Sequence, residues 1–263
     1  MRDISNDIVI QKNKNGMNYL QFKKLLELNV KHAYALKGDF WNIEKKGKNL
    51  LARQESFRRL CEAIDLDSKN LTKPNQMHTD NVEIIEKVCT LEELKNTDGV
   101  ITSKENIVLA TTNADCILYL LYDPQNKVIA NVHSGWRGSY QRIIEKTIDK
   151  MTKEFKCNPE NIIVCICPSI RRCCFEVEKD VKDMFEEKFS FLENINKFII
   201  NGYNENKFYV DTVGINNCLL QAKGIKKENI YDSGICSVCN SDLVHSYRAE
   251  KENFRLSAAI ISL

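Results

Sequence analysis

Short apolar runs broken by polar turns open the chain. IVIQ (8–11), MNYLQF (17–22) and KHAYAL (31–36) have strand length, and Lys14-Asn15-Gly16 supplies a turn between the first two. From Asn49 to Asp65 the period changes: Phe57, Leu60, Cys61 and Ile64 recur at helical spacing, which predicts a surface helix with one buried stripe. LTKPNQMHTDNVEIIE reads as loop then strand, with His78 near the junction. Two apolar runs then flank Asp123-Pro124-Gln125-Asn126, whose Asp and Pro suit the first two positions of a type I turn, so the centre of the chain is a β-hairpin.

Beyond the hairpin, Ser139 can cap a helix reaching about Phe155, with Ile143, Ile144, Thr147, Ile148 and Met151 on its buried side. IIVCIC (162–167) is a buried strand, and Val177, Val181, Met184, Phe185 and Phe189 mark another amphipathic helix. KFYVDTVGINNCLLQAKG reads as strand, Asp211 cap, helix and Gly224 stop. The phrase Glu-Asn-Ile occurs at 160–162 and again at 228–230, hinting at two similar helix-to-strand units. Strands and helices are interspersed without a Pro/Gly/Ser-rich linker, and the tight hairpin requires antiparallel pairing. The expected class is α+β: one domain over residues 1–263, built of mixed, largely antiparallel sheets flanked by helices.

Composition changes this picture little. The 263 residues can bury an adequate core, and 43% hydrophobic and 28% charged residues with a net charge of +2 describe a globular protein without a charge-driven partner such as nucleic acid. No apolar segment reaches the length of a membrane span, and MRDISNDIVIQKNKNG holds no run of signal-sequence length, so the expected compartment is the cytoplasm. The eleven cysteines are then expected to be free thiols, most of them small core residues and some reserved for metal or catalysis.

The hairpin carries the first chemical signal. A loop symmetric about Pro124 and Gln125 pairs Tyr122 with Lys127 and, further along, Cys116 with His133. Directly opposed residues share a face with Cβ atoms roughly 4.5–5.5 Å apart. At that distance a thiolate and an imidazole can share a metal ion, or the imidazole can deprotonate the thiol, or the two can be buried side by side without chemistry. Ser134-Gly135-Trp136-Arg137-Gly138-Ser139 follows as a Gly-containing turn into a helix, where backbone N–H groups favour an anion and Arg137 adds a planar fork suited to phosphate.

Asn113-Ala114-Asp115-Cys116, His133-Ser134-Gly135-Trp136-Arg137-Gly138, Gln76-Met77-His78 and Ser246-Tyr247-Arg248 together resemble the signature segments of the laccase-domain proteins. That family was first described as multicopper polyphenol oxidases and is now regarded as purine nucleoside phosphorylases with adenosine deaminase activity. The resemblance runs from about residue 30 to the C-terminus and implies a single domain similar in architecture to bacterial toxins with a Cys/His catalytic pair. It also implies a zinc ion held by His78, Cys116 and His133, three protein ligands with an open fourth position as in catalytic zinc sites. The substrates implied are purine nucleosides and inorganic phosphate. Arg137, Ser139 and Arg248 are the candidates for binding phosphate or substrate, with Arg255 a weaker one, and Asp115 or Asp80 for moving protons. His32 and His245 read as ordinary histidines.

The chain departs from the family pattern in places. Where the family usually has Gly-Pro-Ala-Ile-Gly-Pro-Cys-Cys, this chain has Cys167-Pro168-Ser169-Ile170-Arg171-Arg172-Cys173-Cys174, so Arg171 and Arg172 are expected to bear on substrate or anion choice. Thr79 stands where the family has glycine, and GDFWNIEKKG looks shortened. Cys236-Ser237-Val238-Cys239 lacks a second CxxC at a suitable distance and reads as structural, as do Cys173 and Cys174. Three rival readings stand beside the phosphorylase, among them a non-enzymatic metal-binding or scaffold protein that would hold zinc without turnover. A copper polyphenol oxidase needs more histidines than the four present. A metal-free Cys116/His133 amidohydrolase or deamidase would use the same two residues with the thiolate as nucleophile.

Overall fold

The computed structural model describes residues 2–41, 43–44 and 50–263. Three strands and a short helix come first: β1 (Val9–Lys14), β2 (Met17–Phe22), α1 (Lys23–Glu27) and β3 (Lys31–Ala35). Helix α2 (Leu50–Ala63) follows; the Asn49 start proposed for it, and residues 42 and 45–47 of GDFWNIEKKG, lie outside the described residues. Then come β4 (Leu71–Thr72), β5 (Val82–Ile84), β6 (Gly99–Thr102), β7 (Val108–Asn113), β8 (Ile117–Asp123) and β9 (Val128–Ser134). The second half contains α3 (Trp136–Tyr140), α4 (Ile143–Phe155), β10 (Ile163–Ile166), β11 (Glu176–Glu178), α5 (Lys179–Lys188), β12 (Ile199–Asn201), β13 (Lys207–Val210), α6 (Thr212–Ala222), β14 (Ile230–Asp232), α7 (Tyr247–Glu250) and β15 (Ser257–Ser262).

Two six-stranded sheets, ordered β1-β2-β3-β15-β7-β4 and β14-β10-β8-β9-β6-β5, pack face to face, and β11-β13-β12 forms a small third sheet. Pairing is antiparallel except at β4–β7, β5–β6 and β10–β14, so the fold is the mixed, largely antiparallel α+β domain expected from the sequence. The alternation along β8 shows why its apolar run is unbroken. Leu118, Leu120 and Tyr122 point into the core between the sheets, whereas Ile117, Tyr119 and Leu121 point into a second core beneath α4, α5 and α6. A third core fills the space between α2 and the outer face of the first sheet.

Asn131 of β9 bridges the two large sheets from full burial. Its amide donates to the Leu109 carbonyl at 3.0 Å and the Ala259 carbonyl at 2.9 Å, and its oxygen accepts from the Thr111 hydroxyl. Asn131→Leu is therefore expected to destabilise the protein by about 2–4 kcal/mol, because the buried Thr111 hydroxyl and two carbonyls lose partners while the larger side chain finds no room. Denaturant titration at constant m-value checks it.

Several local readings hold in detail. Asn15 and Gly16 both adopt positive φ, the combination a two-residue type I′ hairpin needs. Asp211 caps α6 by accepting from the Gly214 N–H at 2.8 Å, and Gly224 ends the segment at φ +90°. Each Glu-Asn-Ile phrase is a single 3-10 turn entering a strand, and those strands, β10 and β14, lie side by side in parallel.

Other readings are corrected. The helix after the hairpin is two helices, because Arg142 takes a left-handed conformation (φ +62°) that brings its guanidinium onto the buried Glu145. Ser139 is thus no N-cap but lies in the last turn of α3, although the five residues predicted for the buried side of α4 are buried. Val177 belongs to β11, opposite Phe208, and Met184 is 37% exposed, so the buried side of α5 rests on Phe185 with Phe189 just beyond its end.

Candidate metal centre

The hairpin register differs from the symmetric one. Tyr122 pairs with Ile129 and Leu118 with His133, two residues away from the expected Cys116–His133 pairing. The turn explains the shift. Asp123 accepts from the N–H groups of Gln125 and Asn126 and from the Asn126 amide, and Lys127 turns left-handed (φ +50°), so the loop spans Pro124–Lys127 and Asp123–Val128 becomes the last pair. A slip of two keeps every side chain on its face. Cys116, just before β8, still meets His133: its Sγ and a ring nitrogen of His133 lie within 4.8 Å of each other.

His78 arrives from the loop between β4 and β5. Gln76 fastens that loop to β7, donating to the Thr112 carbonyl at 2.7 Å and accepting from its N–H at 2.9 Å, and His78 itself sits at φ +61°. Its Nε2 lies 3.8 Å from Cys116 Sγ, and the His78 and His133 rings meet edge-on with centroids 4.9 Å apart. One donor atom from each of His78, Cys116 and His133 thus falls within 4.8 Å of the others. Two imidazoles and a thiolate at that spacing form a donor set suited to zinc with a fourth position open.

The residue that organises this trio is Asp98, which the sequence reading missed. Fully buried, its carboxylate accepts from His133 Nδ1 at 2.8 Å and from the N–H groups of Met77, His78 and Thr79 at 3.1, 3.0 and 2.8 Å. Thr79 adds its hydroxyl at 2.7 Å. Burial opposes the Asp98 charge, but His133 and the Thr79 bonds outweigh it and hold the carboxyl at about 2. Burial also pushes His133 down, yet the Cys116 thiolate and Asp98 lift it to about 9. For Cys116, burial acts upward and the two histidines pull the thiol down to about 6. Asp98 fixing His133 through Nδ1 leaves Nε2 for a metal or for the thiol. Asp98 lies in Asn-Thr-Asp-Gly, a sequence that reads as turn chemistry and carries no other signal.

A cavity of about 730 Å³ opens at the trio, lined among others by Trp136, Arg137, Phe175, Glu176, Tyr247 and Arg248. Arg137 is exposed at its mouth with its guanidinium 4.1 Å above the Trp136 ring. Arg248 lines it too, while donating to the carbonyls of Cys174 and Glu176 at 3.1 and 3.0 Å. Arg53 and Lys73, which no motif marked, add two cations without a carboxylate partner among the described residues, and burial drives Lys73 down to about 7.

Other expected site residues fall elsewhere. Ser139 is buried off the cavity, its hydroxyl 3.0 Å from that of Ser134 and accepting from the Asn216 amide at 2.9 Å. Asp115 lines the cavity, but its carboxylate is taken by the Ser237 and Ser246 hydroxyls and the Arg248 N–H, a positioning arrangement that offsets its left-handed φ of +82°. Asp80 pairs with Lys146, and Arg255 is not part of the wall. Arg171 forks onto Asp232 at 2.7 Å and Arg172 bonds the Lys197 carbonyl, both lining a separate cleft, so the two arginines do not reach the cavity at the trio. His32 is buried, accepts from the Phe22 N–H and is held down at about 4 by desolvation; His245 is likewise pushed down to about 4 and stands outside the cavity.

A family model described as "Multi-copper polyphenol oxidoreductase laccase" matches residues 44–263, and the chain belongs to this laccase-domain family. Among curated relatives it is 28% identical over 214 residues to "Purine nucleoside phosphorylase LACC1" of Mus musculus, covering 80% of this chain but 47% of that protein. The chain thus spans about half the length of that relative. It is 30% identical over 209 residues to "Adenosine deaminase RL5" from an unknown prokaryotic organism, covering 77% of this chain and 78% of that one. The crystal structure of the Bacillus licheniformis hypothetical protein YfiH shares the fold, with a TM-score of 0.86 over 96% of this chain and 98% of that one at 21% identity.

Proposed function

We propose that the protein is a zinc-dependent purine nucleoside phosphorylase working in the cytoplasm, with the whole of residues 1–263 as one laccase-domain unit. Inorganic phosphate attacks C1′ of adenosine, inosine, guanosine or S-methyl-5′-thioadenosine, the glycosidic C–N bond breaks, and free base and sugar 1-phosphate leave. Hydrolytic deamination of adenosine is the side activity. The observation that carries this reading is the convergence of His78, Cys116 and His133 on one cavity walled by both cations and aromatic rings. The names of the relatives, phosphorylase and deaminase, fit the same cavity.

Each part of the cavity has a task in that reaction. Trp136, Phe175 and Tyr247 offer apolar faces for the purine. Arg137 meets phosphate with a guanidinium that stacks on Trp136 and has no carboxylate partner among the described residues, and Arg248 has donors left after its two carbonyl bonds. His78, Cys116 and His133 would hold the zinc, which supplies Lewis-acid polarisation and activates water when bound. Asp98 keeps the His133 Nδ1 proton in place and so fixes which nitrogen faces the ligand position.

A second reading has one specific observation in its favour: Cys116, His133 and Asp98 stand in the order nucleophile, base and orienting acid of a metal-free thiol hydrolase. Turnover of adenosine and inosine by zinc-assayed protein, with and without phosphate, separates the two. Phosphate-dependent release of adenine and hypoxanthine is expected. In Cys116→Ala it should fall by roughly the 10²–10⁴ that a positioned catalytic group contributes. Silence from folded, zinc-loaded protein would sink the phosphorylase reading, and activity that survives both phosphate omission and chelation would favour the thiol hydrolase.

A further inference from the structure

Four of the cysteines are gathered at one place away from the His78–Cys116–His133 centre. Cys173 and Cys174 lie in the turn before β11, and Cys236 and Cys239 in the turn after β14. Their sulfurs all lie within 4.8 Å of one another, with Cys239 Sγ 3.5 Å from Cys174 Sγ and 3.9 Å from Cys173 Sγ. A tetrahedral ion with metal–sulfur bonds of about 2.3 Å sets its sulfurs about 3.8 Å apart, and the observed separations bracket that value. The partner for the CxxC pair is therefore not a second CxxC but an adjacent Cys-Cys, a spacing that a search for paired CxxC motifs passes over.

A second observation points the same way. The Ser169 N–H donates to the Ile235 carbonyl at 3.2 Å and the Ser237 N–H to the Ser169 carbonyl at 3.0 Å, so backbone pairing holds the CxxC turn against the segment that runs into Cys173 and Cys174. Cys173 and Cys239 are exposed, which leaves an entry path for an ion, while Cys236 is buried at the back.

We infer that Cys173, Cys174, Cys236 and Cys239 form a closed tetrathiolate site for a divalent zinc ion, structural in role and separate from the histidine-containing centre. Each ligating thiol gives up its proton to solvent as the ion binds. With four protein ligands there is no open position for a substrate. The site instead ties together two walls of the active cavity. Cys174 offers its carbonyl to Arg248, and Ser237, between the CxxC cysteines, bonds Asp115, the neighbour of Cys116. This inference does not depend on the phosphorylase reading, since it concerns different ligands.

Metal analysis of protein purified under reducing conditions from zinc-supplemented cells tests it. The His78→Ala/His133→Ala variant should retain one zinc per chain, and Cys236→Ser/Cys239→Ser should contain one fewer than the wild type. Should the serine variant fail to fold, wild-type protein still decides. Its cobalt-substituted form is expected to show the strong sulfur-to-metal charge-transfer absorption of a four-thiolate site, and the four thiols should resist alkylation until a chelator is added. A histidine variant that folds without retained zinc, four freely alkylated thiols in zinc-replete protein, iron in place of zinc, or a mass deficit showing disulfides in the reduced preparation would each overturn the assignment.

Discussion

Asp98→Asn is expected to weaken zinc binding roughly 10–100-fold and to depress phosphorolysis at least as much. The amide keeps one acceptor oxygen where the carboxylate offers two, and both Asp98 oxygens are in use. One accepts from His133 Nδ1 and the His78 N–H; the other accepts from Met77, Thr79 and the Thr79 hydroxyl. If the new NH₂ faces Met77 and Thr79, it meets donors and loosens the loop that carries His78. If it faces His133, it donates to Nδ1 and moves the ring proton to Nε2, the nitrogen a metal needs bare. Either orientation removes a ligand. Competition for zinc against a chromophoric chelator, alongside thermal melting, reads both effects, and wild-type affinity in a folded variant would show that Asp98 does not orient the site.

The parts of this site that were legible in the sequence are those fixed by contacts near in the chain. Asn15-Gly16 and Asp211 bond within a few residues of themselves, so turn and cap chemistry located them. The faces of β8 and β9 followed from alternation, and a register error of two left them unchanged, which is why Cys116 and His133 were correctly brought together by an incorrect pairing. What set the true register was the left-handed Lys127, a residue type with no preference for that conformation.

Contacts distant in the chain left no such trace. Asp98 acts on residues about twenty positions before it and thirty-five after it, through a strand pairing that no local pattern announces. Ser139 looked like a cap because a polar residue preceded an apolar stripe, yet the helix breaks at Arg142 to place a cation on Glu145. Lys73 and Arg53 joined the cavity wall only once α2 and the β4–β5 loop were packed against β7. His78 was marked by resemblance alone, since a histidine in a polar loop has no periodicity to distinguish it.

Gly135→Ala is expected to leave the fold standing and to cost about 10²-fold in activity, the scale of loss that follows an ångström of misplacement at a reacting centre. The backbone at Gly135 (φ −68°, ψ 179°) is one that alanine adopts freely, so strain in the chain is not the cause. The added methyl is. A Cβ there would stand 2.7 Å from His78 Cδ2 and 3.1 Å from Cys116 Sγ, both too close to keep. Cys116 is anchored through its carbonyl, which accepts from Asn113 at 2.6 Å, whereas His78 is an exposed side chain on a loop, so the imidazole gives way and the donor trio opens. Gly138→Ala supplies the control: the same methyl, three residues on, meets Ser134 Oγ, Ile143 Cγ2 and the Thr79 carbonyl at 3.3–3.5 Å and touches no ligand. Zinc affinity and turnover should fall in the first variant and hold in the second at similar melting temperatures; equal zinc affinity in both would mean that the imidazole of His78 is not held where a metal needs it.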